Sequence, residues 1–135
     1  MKISTVLILL VFSLTAVAQS QENSYFKITQ KSCLKRSGYT LVLKQVISDS
    51  RCPQGLNCIW AGEAQVVVSV YNNKKLEEDV VITLSPKMLL ENNKWFAKYT
   101  KEKHKDIQNV ELVPYPKKDK PITQKEYYLK VGYHK

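Results

Sequence analysis

Apolar and polar residues alternate with a period of two along most of the chain. Tyr39, Leu41, Leu43 and Ile47 fall on one side of an extended segment with Thr40, Lys44 and Ser48 on the other, although Val42, Gln45 and Val46 blur the pattern. Ala64, Val66, Val68 and Val70 repeat it more cleanly, opposed by Gln65, Ser69 and Tyr71. Successive side chains of a strand point to opposite faces, so this alternation predicts half-buried strands. Val80, Ile82 and Leu84 form a third run behind the turn signal Asn72-Asn73-Lys74-Lys75. Val110 and Leu112 make a fourth, stopped by Pro114-Tyr115-Pro116, and Tyr127, Leu129, Val131 and Tyr133 make the last. A weaker first strand is predicted at Tyr25 to Ile28. Short strands separated by turn signals predict an all-β chain, a single antiparallel β-sandwich or barrel.

Residues 85–105 leave two readings open. Ser85-Pro86 suits a cap followed by proline in the first turn, and Leu89, Phe96 and Tyr99 share a helical face, which predicts one short helix near residues 86–104. Asn92-Asn93 is a turn signal inside the same run and favours an irregular excursion.

The N-terminus departs from the alternation. A lone Lys2 precedes an apolar run from Val6 to Phe12 that continues to Val17, and Ala16-Val17-Ala18 places small residues at alternate positions before Gln19. This is the layout of a secretory signal peptide cleaved after Ala18. A membrane anchor would need roughly 20 apolar residues, and here Ser4, Thr5, Ser13 and Thr15 interrupt a shorter run. Residues 1–18 are therefore expected to be removed. Residues 19–135 then form a single secreted β-domain, periplasmic or extracellular, with no membrane span.

Charge narrows the partners. The chain carries 21 Lys and Arg against 12 Asp and Glu, a formal +9 that falls by one when Lys2 leaves. Only Arg36 and Arg51 carry the planar guanidinium fork on which phosphate and base recognition leans, so with an export signal present a nucleic-acid partner is disfavoured. The lysines either keep a basic surface soluble or draw the protein to an anionic glycan or envelope surface. Lys94 to Lys105 alternates ammonium groups with Trp95, Phe96 and Tyr99. Lys98, Lys101, Lys103 and Lys105 are the candidates to meet an anionic polymer, while the three rings are expected in the core.

The densest chemistry lies in Asp49 to Ala64, DSRCPQGLNCIWAGEA. Cys52 and Cys58 flank Pro53 and Gly55, residues that set a fixed and a permissive φ for a reversal. In an exported protein the pair reads first as a disulfide, with Cys33 left as the odd thiol. Loop entropy gives about 2 kcal/mol for this loop and about 3 kcal/mol for a Cys33–Cys52 alternative, too small a difference to choose between them. Proximity favours Cys52 with Cys58. Two sulfurs alone make no metal site, since His104 and His134 lie far off in sequence, and no cofactor is expected. If the disulfide closes a hairpin, one extra residue at Gly62 brings Leu41 opposite Val70, Leu43 opposite Val68 and Ile47 opposite Ala64. Trp60 is then expected to close the end of the core, its alternative being an exposed stacking platform. Asp49 and Arg51, with Glu63 across the hairpin, read as ion pairing beside a turn rather than as a functional charge cluster.

The same stretch resembles a signature of uncharacterised secreted bacterial proteins, D-S-R-C-P-x-G-x-x-C-x-W-A-G-x-A. It is matched by Asp49, Ser50, Arg51, Cys52, Pro53, Gly55, Cys58, Trp60, Ala61, Gly62 and Ala64. Leu112-Val113-Pro114-Tyr115-Pro116 and Tyr127 are similar to that family's C-terminal pattern, so the resemblance spans most of the secreted part. It implies no known activity or ligand. Cys33 and the Lys94 to Lys105 segment stand outside the pattern.

No nucleophile elbow, zinc-binding helix motif or phosphate-cradling glycine loop is present, and the chain has four glycines in all. A Cys33–His104 pair is the one nucleophile–base combination on paper. The expected function is a non-enzymatic secreted module that binds a protein or glycan or serves a structural role at the envelope. The alternative is a protease-inhibitor-like protein presenting the closed loop 52–58. In either case Gln54, Leu56 and Asn57 are the loop's candidate binding residues.

Overall fold

The structure, a computed structural model, describes residues 24–34 and 37–134. The expected signal peptide and its cleavage site lie outside the described residues.

The cleanest alternation in the sequence becomes the centre of a sheet. Strand β3 (Ala64–Asn72) pairs antiparallel with β2 (Tyr39–Asp49) on one side and β4 (Lys75–Leu84) on the other. Ala64, Val66, Val68 and Val70 are fully buried on its inner face. The second sheet places β6 (Tyr128–Tyr133) between β1 (Ser24–Ile28) and β5 (Ile107–Val113), all antiparallel, with Leu129 and Val131 fully buried. The inner faces contribute to one continuous apolar core that also takes Phe96. Neither sheet closes on itself, so the sandwich form holds and the barrel does not.

Bulges explain the blur in β2. Leu41 pairs with Val70 and Leu43 with Val68 as the register argument predicts, but the ladder slips between Leu43 and Gln45 and again between Val46 and Ser48. Each extra residue shifts the inward phase by one. Val46 therefore turns inward while Ile47 is 49% exposed, and Asp49, not Ile47, stands opposite Ala64. The expected single correction at Gly62 is replaced by two bulges in the partner strand. At the other end of the hairpin pair, Asn73 and Lys74 both adopt positive φ (49° and 69°) in a two-residue turn, whose twist matches that of the strands it joins.

The edges of the sheets are tied together. On one side Leu43 N donates to Thr29 O at 3.1 Å. The Gln124 side chain there both accepts from Val46 N and donates to Val46 O, imitating a strand partner at the bulge. On the other side lies the helix, α1 (Leu89–Tyr99), preceded by a 3-10 turn at Pro86–Met88 and followed by another at Glu102–His104. Ser85 is extended and Pro86 opens the turn as expected, although the serine hydroxyl makes no cap. Asn92 and Asn93 do not break the helix. Their amides cross to the two sheets, Asn92 Nδ2 donating to Thr83 O of β4 and Asn93 Nδ2 to Gln108 O of β5, both at 2.9 Å. Phe96 drives into the core, and Trp95 and Tyr99 pack half-buried against it.

Candidate functional site

The signature residues assemble at one end of the sandwich. Beyond β2 and β3 the hairpin continues through Ser50 N to Glu63 O (2.8 Å) and Cys52 N to Ala61 O (3.0 Å). Gly62 makes this approach possible. Its φ is +72°, and a Cβ there would strike the Ser50 carbonyl oxygen and lie 2.9 Å from the Arg51 Cα. The arms rejoin at Cys52 and Ala61, whereas the disulfide joins Cys52 to Cys58, with an S–S distance of 2.08 Å and Cα atoms 5.9 Å apart. Ile59 and Trp60 are left in the bend between, without a strand partner.

That arithmetic decides where the tryptophan goes. Trp60 is 66% exposed and Ile59 fully exposed, so Trp60 does not close the core as the sequence reading expects. Within the disulfide loop Leu56 N donates to Pro53 O at 3.2 Å, and Gly55 with φ +86° supplies the positive dihedral this turn needs. Gln54, Leu56 and Asn57 all face solvent. Gln54 N donates to Pro116 O at 2.9 Å, which pins the loop to the segment after β5.

Below the loop sits a buried ion pair. The Arg51 guanidinium grips Asp49 with two bonds, Nε to Oδ1 at 2.7 Å and Nη2 to Oδ2 at 2.6 Å, and the side chains are only 10% and 9% exposed. Its remaining donors reach the second sheet, Nη1 to Leu112 O at 2.5 Å and Nη2 to Pro114 O at 3.1 Å, where the Val113–Pro114 bond is cis. The Tyr115 ring lies 4.7 Å from the guanidinium carbon, and Tyr127 Oη donates to Asp49 Oδ2 at 3.2 Å. Burial pushes the Asp49 carboxyl up, but the bonds and charge of Arg51, with the Tyr127 hydroxyl, outweigh it and hold the carboxyl below its ordinary value. Burial and then the Asp49 charge raise the Tyr127 hydroxyl. The ion pairing read from sequence is thus a staple across both sheets. Among the described residues Glu63 joins through its backbone bonds to Ser50.

Sequence reasoning missed the partners Leu112, Pro114, Tyr115 and Tyr127. Leu112, Pro114 and Tyr115 meet Arg51 and Tyr127 meets Asp49, all four within the C-terminal residues that the sequence reading sets beside the Asp49 to Ala64 stretch. Beside the loop a cleft of about 440 Å³ is lined by Ala61, Gly62, Leu84, Pro86, Leu89 and Tyr115, among others.

The candidate lysines belong elsewhere. Lys101 and Lys103 line a groove of about 540 Å³ with Phe26, Tyr39 and Tyr99, and no residue of loop 53–61 lines it. Lys98 and Lys105 are not in its walls, and Lys105 pairs with Glu102 at 2.5 Å. Cys33, exposed and outside the disulfide, and His104 both line this groove, so the fold brings together two residues far apart in sequence. His104 stacks on Phe26 and lies 4.2 Å from the Tyr133 ring centroid. Among the described residues no three or more His, Cys, Asp or Glu side chains gather as a metal site, and no helix is long and apolar enough to cross a membrane. Comparison of the chain with family models, curated proteins and solved structures finds no match.

Proposed function

We propose that the protein is a non-enzymatic binding module of the exported space that docks a protein partner through loop 53–61. One observation carries the reading: Leu56, Ile59 and Trp60 are 46%, 107% and 66% exposed on one short loop. A large apolar group in water is unfavourable, and several together on one surface mark an interaction site. The loop's supports are the disulfide, the tight Gly62 crossing, the Gln54 bond to Pro116 and the Arg51 staple below. A loop held this way loses little entropy on docking. Tryptophan is the side chain most often found at the energetic centre of protein interfaces. Export is supported by the signal-like N-terminus together with a disulfide, which persists in oxidising compartments.

The narrower inhibitor reading asks loop 52–58 to lie extended in a protease cleft. Here the Leu56 to Pro53 bond folds the segment into a turn, so general protein docking is the better supported function.

The test places a photo-crosslinking benzoylphenylalanine at position 60 in cells that export the protein, with the same residue at the exposed Leu76 as control. The expected result is a discrete adduct from position 60 that is absent from position 76 and disappears with Ile59→Ser. Indistinguishable adduct patterns at the two positions would end the proposal.

A further inference from the structure

We propose that the groove between the β1–β2 edge and the chain leaving α1 is a second binding site, for an acidic saccharide. Its volume of about 540 Å³ falls in the ~300–1,000 Å³ range of small-ligand pockets. Four stretches build it: 26–28 of β1, Ser32 and Cys33 beyond that strand, 37–41 leading into β2, and residues between Tyr99 and His104 at and after the end of α1. The site does not depend on the role of loop 53–61, which contributes nothing to its walls.

Three kinds of group converge. Rings come from Phe26, Tyr39 and Tyr99; Tyr39 is 42% exposed and meets Tyr99 edge-on at 5.1 Å. Hydroxyls come from Ser37 and, as acceptors, from Ser32 and Thr100, whose own protons go to the Thr29 and Ala97 carbonyls. Cations come from Lys101 and Lys103, exposed and without an ion pair among the described residues. Lys27 supplies its stem rather than its charge, because its ammonium lies over the Tyr128 ring at 4.7 Å. The nearby carboxylates are already engaged, Glu78 by the Tyr99 hydroxyl and Glu102 by Lys105.

A pyranose ring presents a C–H face that packs on an aromatic ring, hydroxyls that need partners and, in a uronic or sulfated sugar, an anion. The groove meets all three needs. A fatty acid would instead require an apolar sleeve, and the hydroxyl-bearing wall argues against it. The structure also sorts the lysine run. Lys101 and Lys103 face the ligand, while Lys98 and Lys105 do not.

The experiment titrates the full secreted chain with a galacturonate tetramer, following amide shifts of Tyr39, Thr40 and Thr100 by NMR and affinity by calorimetry. Cellotetraose serves as the neutral comparator and laurate as the amphiphile. Expected are shifts at those three amides and weaker binding of cellotetraose. Raising salt from about 0.1 M to 1 M should also loosen the acidic ligand, as the Debye length falls from about 10 Å to about 3 Å. Lys101→Gln/Lys103→Gln should weaken binding by about tenfold or more, the scale of lost charged hydrogen bonds. Lys98→Gln/Lys105→Gln should change it less than about twofold. Equal losses in the two pairs, laurate binding in preference to the tetramer, or no shift at the three amides would each overturn the proposal.

Discussion

Arg51 and Leu112 are 61 residues apart in sequence, yet the guanidinium Nη1 donates to the Leu112 carbonyl at 2.5 Å and so fastens one sheet of the sandwich to the other. The same guanidinium holds Asp49, and both side chains are largely buried. Removing one member of a buried pair leaves an uncompensated charge, which costs about 3–5 kcal/mol. Arg51→Ala is expected to lose stability on that scale in urea unfolding. Arg51→Lys should recover little, because one ammonium cannot form the fork to Asp49 and also reach two carbonyls. The double variant Asp49→Ala/Arg51→Ala should be less damaged than the sum of the single changes. Additive losses would show that the pair acts through packing alone.

The same pair gives the fold an acid limb. Asp49 has its carboxyl depressed in the folded state, so the unfolded chain binds more protons and the pair's stabilisation is present above the ordinary aspartate value. It is lost as pH falls below about 4 and through the lower folded value. Tyr127 is shifted the other way, so its contribution is complete below about pH 10 and fades as the pH rises through its folded value. Asp49→Asn should therefore be less stable than the parent near neutrality, with the two melting curves converging in acid. A gap that stays constant down to pH 2 would refute this linkage.

Gly62 is the point at which the hairpin crosses itself. A residue held at φ +72° costs on the order of 1–3 kcal/mol when it carries a Cβ. Here the Cβ would also press on Ser50 and Arg51 backbone, which has no flexible side chain to yield. Gly62→Ala should thus be clearly destabilising, and Gly62→Val worse. Gln65→Thr, three residues away on the half-exposed face of β3, should fall within about 0.5 kcal/mol of the parent. Thermal melts of the three variants decide it, and equal tolerance at the two positions would remove the steric argument.

Local alternation made the strands legible because burial in a sheet repeats every two residues, and Val66, Val68 and Val70 sit on a strand covered from both sides. The bulges in β2 were visible as noise at Val42, Gln45 and Val46, but a broken period does not say which residue is extra. Trp60 was misplaced because hydrophobicity speaks for burial while chain geometry decides it. With Cys52 bonded to Cys58 in one way and to Ala61 in another, the residues between are pushed outward. The partners of Arg51 were out of reach of spacing arguments, since two of them are backbone carbonyls, which every residue has. Lys101 and Lys103 could be singled out as basic, but which lysines line the groove depends on where β1 and β2 pass.

Asn92 and Asn93 mark the limit of propensity most plainly, and they yield the last prediction. Adjacent asparagines signal a turn because their amides compete with the backbone for hydrogen bonds. In α1 both amides instead satisfy carbonyls of β4 and β5, strands of different sheets, and so hold the helix over the open side of the sandwich. The two bonds are not equivalent. Asn92 is 7% exposed, so its loss would leave the part-buried Thr83 O without this donor, while Asn93 is half-exposed and its Oδ1 has no partner among the described residues. An unsatisfied buried group costs about 1–3 kcal/mol. Asn92→Ala should therefore destabilise on that scale and more than Asn93→Ala. Asn92→Leu should not restore stability, since filling the volume leaves the carbonyl unpaired. Hydrogen exchange locates the effect: the α1 amides should exchange faster in Asn92→Ala while the central β3 and β6 amides keep their protection relative to global unfolding. If the two alanine variants lose the same stability, or if α1 keeps its protection in Asn92→Ala, the clamp is not what holds the helix in place.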